Sequence, residues 1–272
     1  MINIIVGKRS NLSIHLQRSL SNTILVSSSD LRSQLKRQKI SKKFNLILNN
    51  FHPAIKLNDV SEPKTYVENS IGSTAEILEN ILPYASMVNK LIYTSSSSVY
   101  GNAHSTNEDM YLQPISLHAS LKLSNEKLIE QFCKSNAINF LITRIFNMFG
   151  GVDKFSIISK IINAAEKKSH LELINDGEAI RDFISINDVV HIYDILTKNK
   201  SSGKLNIASG RGTSIKSILS FLKENSININ YKSIYKEEIA TSIGINQKLL
   251  SIIGEDYKFV NVENYLLMKC KK

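Results

Sequence analysis

Short apolar runs alternate along this chain with stretches whose apolar residues recur every three to four positions. Ile2, Ile4, Ile5 and Val6 make the first run, predicting a strand over 2–6, and a helical pattern over 12–20 follows. The rhythm repeats as strand 23–26, helix 29–38, strand 45–48, helix 68–82, strand 90–94, helix 117–135 and strand 139–143. Helix 68–82 carries its apolar side chains at Ile71, Ala75, Ile77, Leu78, Ile81 and Leu82. Near-continuous apolar strands separated by amphipathic helices predict an α/β fold: a doubly wound parallel sheet covered on both faces. In such sheets the loops at the strand C-termini form the site.

After Gly150 and Gly151 the rhythm weakens. Helix 155–167, strand 171–174, helix 186–197, strand 205–207 and helix 215–224 are predicted. Asn187 or Asp188 serves as the N-cap of the helix at 186. These segments predict a small C-terminal α/β lobe at 151–272 beside a larger domain at 1–150. Part of 176–200 is expected to pack back on the larger domain.

With 272 residues, 42% of them hydrophobic, the chain can bury a full core. No run of about 18 apolar residues predicts a membrane-spanning helix. The first strand begins without a basic, then apolar, leader, so no signal peptide is expected. Cys133 and Cys270 are the only cysteines. They support neither a disulfide framework nor a zinc site, and a reducing, cytoplasmic setting is expected. His52, His104, His170 and His191 are isolated and lack metal-ligand spacing. The formal net charge is +10. Its lysines are scattered, there is no Trp, and no nucleic-acid-binding motif appears. Solvated helix faces and a basic tail (32–43 and 269–272) explain the charge better than a nucleic-acid partner does.

Two segments carry candidate chemistry. Thr94-Ser95-Ser96-Ser97-Ser98-Val99-Tyr100-Gly101 closes a strand, and His118 and Lys122 follow on a helix. Four residues apart, those two side chains share one helix face, one turn from each other. A strand-end hydroxyl beside a titratable ring and an ammonium suggests proton transfer. Glu108 and Asp109 lie in the intervening loop, where acids are usually solvated. At the first βα turn, Gly7-Lys8-Arg9-Ser10-Asn11-Leu12-Ser13 opens a helix whose free N–H groups suit a pyrophosphate. Lys8 and Arg9 add cations there, and Val26 is followed by Ser27-Ser28-Ser29 with no acid. An acid would take a ribose 2′-hydroxyl, whereas arginine and serines suit a 2′-phosphate. NADP is therefore preferred over NAD, with solvated surface as the alternative reading of both cations.

Together these segments resemble the extended short-chain dehydrogenase/reductases, the NAD(P)-dependent sugar-nucleotide epimerases and dehydratases. The Ser…Tyr-x-x-x-Lys centre of that family is matched by Ser96, His118 and Lys122, with histidine where the family places tyrosine. Its Gly-x-x-Gly-x-x-Gly turn is matched at Gly7, with Ser10 and Ser13 in place of glycines. Asn69-Ser70-Ile71-Gly72-Ser73-Thr74, Arg144 through Gly150, Arg181 through Val190, and Leu205 through Gly210 resemble further family segments, in order.

The resemblance implies a Rossmann-like NAD(P)-binding domain over 1–150 and a substrate-binding lobe beyond it. Cofactor contacts would come from Gly7, Arg9, Ser10, Asn11, Leu12, Asn49 and Lys122. Ser96, His118 and Lys122 would be catalytic, and Ser97, Asn147 and Arg181 would contact a nucleotide-sugar substrate. For Arg181 the alternative is an ion pair with Asp182 or Asp188, and Asp188 is read as a helix cap. The expected activity is that of an epimerase or ketoreductase on a nucleotide-activated sugar. A catalytically silent binding protein, acting as a sensor or partner subunit, is the other reading that His118 motivates. The family also implies a homodimer through helices 68–82 and 117–135.

Overall fold

The computed structural model describes residues 1–37, 42–49 and 59–271. Gln38, at the end of the second predicted helix, His52 and Lys272 lie outside the described residues. The elements run β1 (Ile2–Val6), α1 (Asn11–Ser19), β2 (Thr23–Val26), α2 (Leu31–Arg37), β3 (Phe44–Leu48), α3 (Pro63–Val67) and α4 (Ser73–Ile81). Next come β4 (Val88–Ser96), β5 (Ala103–Thr106), α5 (Leu117–Ser135), β6 (Phe140–Ile145), β7 (Asn147–Phe149), α6 (Ile157–Lys167) and β8 (Leu171–Ile174). The chain continues through β9 (Ile180–Ser185), α7 (Ile186–Lys198), β10 (Gly203–Ile207), β11 (Gly212–Ser214) and α8 (Ile215–Glu224). It ends with β12 (Tyr231–Ile234), β13 (Thr241–Gly244), α9 (Gln247–Ile253) and α10 (Val262–Cys270).

Two compact units emerge. The first comprises residues 1–99, 114–144 and 190–205, the second 100–113, 145–189 and 206–272. In the first unit the main sheet has the order β10-β6-β4-β3-β1-β2. β1 pairs in parallel with β2 on one side and β3 on the other, and β3 pairs in parallel with β4. Strand order therefore reverses beside β1, and the α/β doubly wound, Rossmann-like expectation holds. β3 is buried at every position because helices cover both faces. Ile4, Leu46, Leu91, Ile142 and the α4 residues Ile77, Leu78 and Ile81 belong to one core.

The N-terminal ends of these strands carry a polar ladder instead. Asn45 Nδ2 donates to Asn3 Oδ1 at 2.9 Å and Asn89 Nδ2 donates to Asn45 Oδ1 at 2.8 Å. Lys90 is fully buried; its Nζ donates to the carbonyls of Leu196 and Asn199, both at 2.7 Å. These are the orphan carbonyls at the C-terminus of α7, the negative end of its dipole.

In the second unit the sheet order is β11-β9-β13-β5, with β7 beside β9, and β12 pairs with β8. Its core gathers Phe149, Ile161, Leu173, Phe183, Ile218, Leu222 and Leu266. The expected helix 68–82 begins earlier, with Pro63 in the first turn of α3, and carries a π-helical turn at Glu68–Gly72 before α4. There Ser70 Oγ donates to Tyr66 O at 2.6 Å, and Ser70 O accepts from Thr74 and Asn125. Side-chain donors that engage the ladder carbonyls loosen the regular turn. The N-cap of α7 is Ser185, whose Oγ accepts from the Asp188 amide at 3.0 Å, so neither Asn187 nor Asp188 caps it.

Candidate functional site

The first βα turn is built as a cradle. Gly7, at φ 119°, opens it, and the Ser10 amide donates to Gly7 O at 2.9 Å. Few residues other than glycine tolerate that φ. Ser10 sits at the N-cap of α1 but makes no side-chain cap bond, so its hydroxyl is not spent on the helix. Asn11 follows it in the first turn, Leu12 anchors α1 in the core, and Arg9 is exposed in the turn. Ser13 is completely buried and turns inward, accepting from Asn49 Nδ2 at 3.0 Å. Serine at the third glycine position thus packs helix against strand without projecting into the turn. The residues present fit a dinucleotide pyrophosphate.

At the end of β4, Ser96 Oγ accepts from the Ser98 amide at 3.2 Å, and Ser97 begins the next turn. Ser116 caps α5, and its Oγ lies 3.1 Å from His118 Nδ1. One turn on, Lys122 Nζ donates to the carbonyl of Thr94, two residues before Ser96, at 2.7 Å. The ammonium also lies 5.0 Å from the Tyr93 ring centre. Burial of the Lys122 head pushes its pKa down to about 7, although part of the side chain stays accessible, and Glu126 opposes the shift. His118 is lowered as well, first by burial and then by Lys122. The structure therefore brings the strand end carrying Ser96 together with Lys122, and sets His118 one turn away.

Sequence reasoning missed the supports of this group. Glu126, one turn beyond Lys122, accepts from Ser95 Oγ at 2.5 Å and from Arg144 Nη2 at 2.8 Å, with both ionic side chains 1% exposed. Tyr193 is fully buried, its hydroxyl 2.7 Å from Thr94 Oγ1 and 2.6 Å from Thr143 Oγ1. Thr94 Oγ1 in turn donates to Asn49 Oδ1. The only early signal was the spacing of His118, Lys122 and Glu126 at successive turns.

In the second unit, Asn147 lies on β7 opposite Phe183, and its amide donates to Asp182 O at 3.0 Å. Arg181 pairs with Glu238, Nη2 to Oε2 at 2.9 Å, and not with Asp182 or Asp188. Asp182 is instead occupied by Ser209 and by the amides of Gly210 and Gly244. Asp188 accepts from Ser185 Oγ, Tyr257 and the Val260 amide. Glu108 is not solvated: it is buried and accepts from the Asn206 amide at 2.8 Å. Tyr100 donates to Asn206 Oδ1 at 2.7 Å. Gly101 is required beside it, since a Cβ there would stand 2.1 Å from Gln113 O. A pocket of about 230 Å³, lined among others by Phe183, Arg211, Thr213, Phe259 and Glu263, includes none of the candidate residues.

A reversed strand order beside β1, a glycine-opened βα turn there, and a lysine held at the end of β4 define a Rossmann-like type of α/β protein. More particularly, the chain belongs to the NAD dependent epimerase/dehydratase family, whose model matches residues 9–208. It is 27% identical over 210 residues to the GDP-6-deoxy-D-talose 4-dehydrogenase of Aggregatibacter actinomycetemcomitans, covering 74% of this chain and 70% of that protein. With the dTDP-D-glucose 4,6-dehydratase of Dictyostelium discoideum it shares 26% over 162 residues, 54% of this chain but 37% of the relative. The UDP-glucose 4-epimerase of Thermus thermophilus, solved in complex with NAD, superposes with a TM-score of 0.87 over 99% of this chain and 98% of that one. At 15% identity that likeness shows the fold. Family and relatives bear out the expected recognition and an enzyme of the NAD-dependent sugar-nucleotide epimerase/dehydratase type. No helix among the described residues is long and apolar enough to cross a membrane.

Proposed function

We propose that the protein binds NAD and a nucleotide-activated sugar and works as an epimerase or ketoreductase. The observation that carries this reading is the Lys122 ammonium docked on the Thr94 carbonyl at 2.7 Å, one turn from His118. Bound NAD would supply hydride acceptance and donation, and the protein would supply orientation and proton transfer. Gly7, Arg9, Ser10, Asn11 and Leu12 would hold the pyrophosphate end, Asn49 would line the strand end beside it, and Lys122 would bind the nicotinamide ribose. Ser96 and Ser97 would orient the sugar hydroxyl. His118 is pushed toward its neutral form, so at neutral pH its imidazole accepts a proton from that hydroxyl. Nε2, the ring nitrogen farther from Ser116, takes it. Asn147 and Arg181 would grip the diphosphate, arginine by its bidentate fork.

Between the two cofactors we read NAD. Arg9 favours NADP, but Asp30, four residues beyond β2, is held by Ser27 Oγ at 2.6 Å, and its carboxylate suits a free 2′-hydroxyl. A homodimer would use what the core leaves over: Ile77, Leu78 and Ile81 of α4 are buried within the unit, while Leu82 and Leu117 stay exposed. Light scattering returning a monomer mass would remove it.

Mass spectrometry of the small molecules released from denatured protein tests the reading: NAD and a sugar nucleotide are expected. His118→Ala should then cut turnover by about a hundredfold or more, as loss of a general base does. If His118→Ala changes nothing and His118→Tyr creates turnover, the natural chain is the silent binding protein.

A further inference from the structure

We propose that Tyr193 is a positioning residue for the cofactor lysine, acting through Thr94. The inference rests on the reading that Lys122 binds the nicotinamide ribose. Thr94 is bound on two sides. Its carbonyl takes the Lys122 ammonium at 2.7 Å, while its hydroxyl bonds Asn49 and lies 2.7 Å from the Tyr193 hydroxyl. Asn49 continues to Ser13 in the phosphate-turn helix, and Tyr193 to Thr143 Oγ1 on β6 at 2.6 Å. Thr143 Oγ1 also reaches Tyr93 O at 3.0 Å; when Thr143 turns its proton to the phenol instead, the one Tyr193 proton is left for Thr94. One hydrogen-bonded line therefore runs from the buried face of α1 to the carbonyl that holds Lys122.

Thr94 sits near the end of β4, only two residues before Ser96, where the ladder is about to stop. A carbonyl there turns with its residue. What fixes the turn is the hydroxyl, and what fixes the hydroxyl is a fully buried phenol with no route to solvent. Networks of this kind exceed the sum of their pairs, because each bond orients the next. Burial also pushes the Tyr193 phenol up to about 12, so it stays a neutral hydroxyl that orients its neighbours and exchanges no proton at physiological pH.

The test is calorimetric titration of NAD into the full-length protein from pH 6 to 9, with thermal melts alongside. Tyr193→Phe keeps the ring and loses the hydroxyl; Thr94→Val keeps the shape and loses its own. Each should weaken NAD binding at pH 7.5 about fivefold. Each should also move the midpoint of its pH dependence downward, because a loosened carbonyl no longer favours the charged ammonium. Thr94→Ser should behave as the wild type, and the Tyr193→Phe/Thr94→Val double variant should be no weaker than Thr94→Val alone. If Tyr193→Phe melts earlier yet keeps the wild-type affinity and midpoint, or if the two losses add, Tyr193 is only a packing residue. Should Tyr193→Phe fail to fold, Thr94→Val and Thr94→Ser decide alone. Wild-type protein that takes up no NAD would instead overturn the reading of Lys122, and this inference with it.

Discussion

Two lysines of the first unit are held differently from the carboxylate-paired cations of the second. The Lys90 and Lys122 ammonium groups are buried on backbone carbonyls, whereas Lys64, Lys134 and Lys198 of the same unit pair with Glu68, Glu130 and Asp194 at the surface. In the second, Arg181 is matched by Glu238, Arg211 by Glu263 and Lys216 by Glu178. A carbonyl offers a partial charge, which does not fully offset desolvation, so the ammonium becomes easy to deprotonate. Burial accordingly brings Lys90 to about 8 and Lys122 to about 7. A carboxylate partner fixes the charge instead. Labile charge suits a lysine proposed to serve proton transfer; fixed charge suits an arginine proposed to hold a charged ligand.

Arg144 tests this contrast most severely, since it is a carboxylate pair inside the first unit that is as buried as the two lysines. It and Glu126 are both sealed from water, and Ser95 also donates to the carboxylate. Arg144→Met leaves that carboxylate without its counter-charge, and a loss of about 3–5 kcal/mol is expected in chemical denaturation. Adding Glu126→Met should recover most of it. If the single variant costs under about 1 kcal/mol, water reaches the pair and the division by burial is wrong.

Lys90 gives the next largest effect. Lys90→Met preserves volume but strips the donor from two carbonyls at the end of α7, a loss of about 2 kcal/mol at pH 7. The folded pKa of about 8 lies below the unfolded 10.5. Between those values the unfolded chain holds the extra proton, so this residue's contribution to stability rises with pH. It is lost as pH falls through about 8. The gap between wild type and Lys90→Met should therefore widen from pH 7.5 to 9.5; a constant gap would mean that Lys90 behaves like an exposed lysine.

The same contrast explains what could be read from the chain alone. β1, β3, β4 and α5 were legible because long apolar periods survive local detail. In the second unit β5 is Ala-His-Ser-Thr and β11 is Gly-Thr-Ser, too short and polar to alternate, so its sheet was missed. β9 was noticed only as Arg181-Asp182-Phe183, a motif without a strand assignment. Spacing on one helix face found His118 and Lys122. Nothing local pointed from Thr94 to Tyr193, 99 residues away, or from Arg181 to Glu238, 57 away. Partners so distant in sequence are chosen by the folded backbone.

Arg181 tests the fixed-charge half of the comparison. Glu238 is held for it in advance: Asn175 Nδ2 donates to Glu238 Oε1 at 3.2 Å and to Lys236 O at 2.6 Å, and the Lys236 amide returns a bond to Asn175 Oδ1. The pair is partly accessible, so removing the arginine should cost little fold stability. Its proposed ligand would lose more, because two charge-assisted bonds to phosphate would go at once. Arg181→Gln should weaken binding of UDP and GDP about tenfold in calorimetric titration, with NAD binding to the first unit unchanged. Equal weakening of UDP, GDP and NAD would show that Arg181 supports the fold as a whole and does not serve the second unit's ligand.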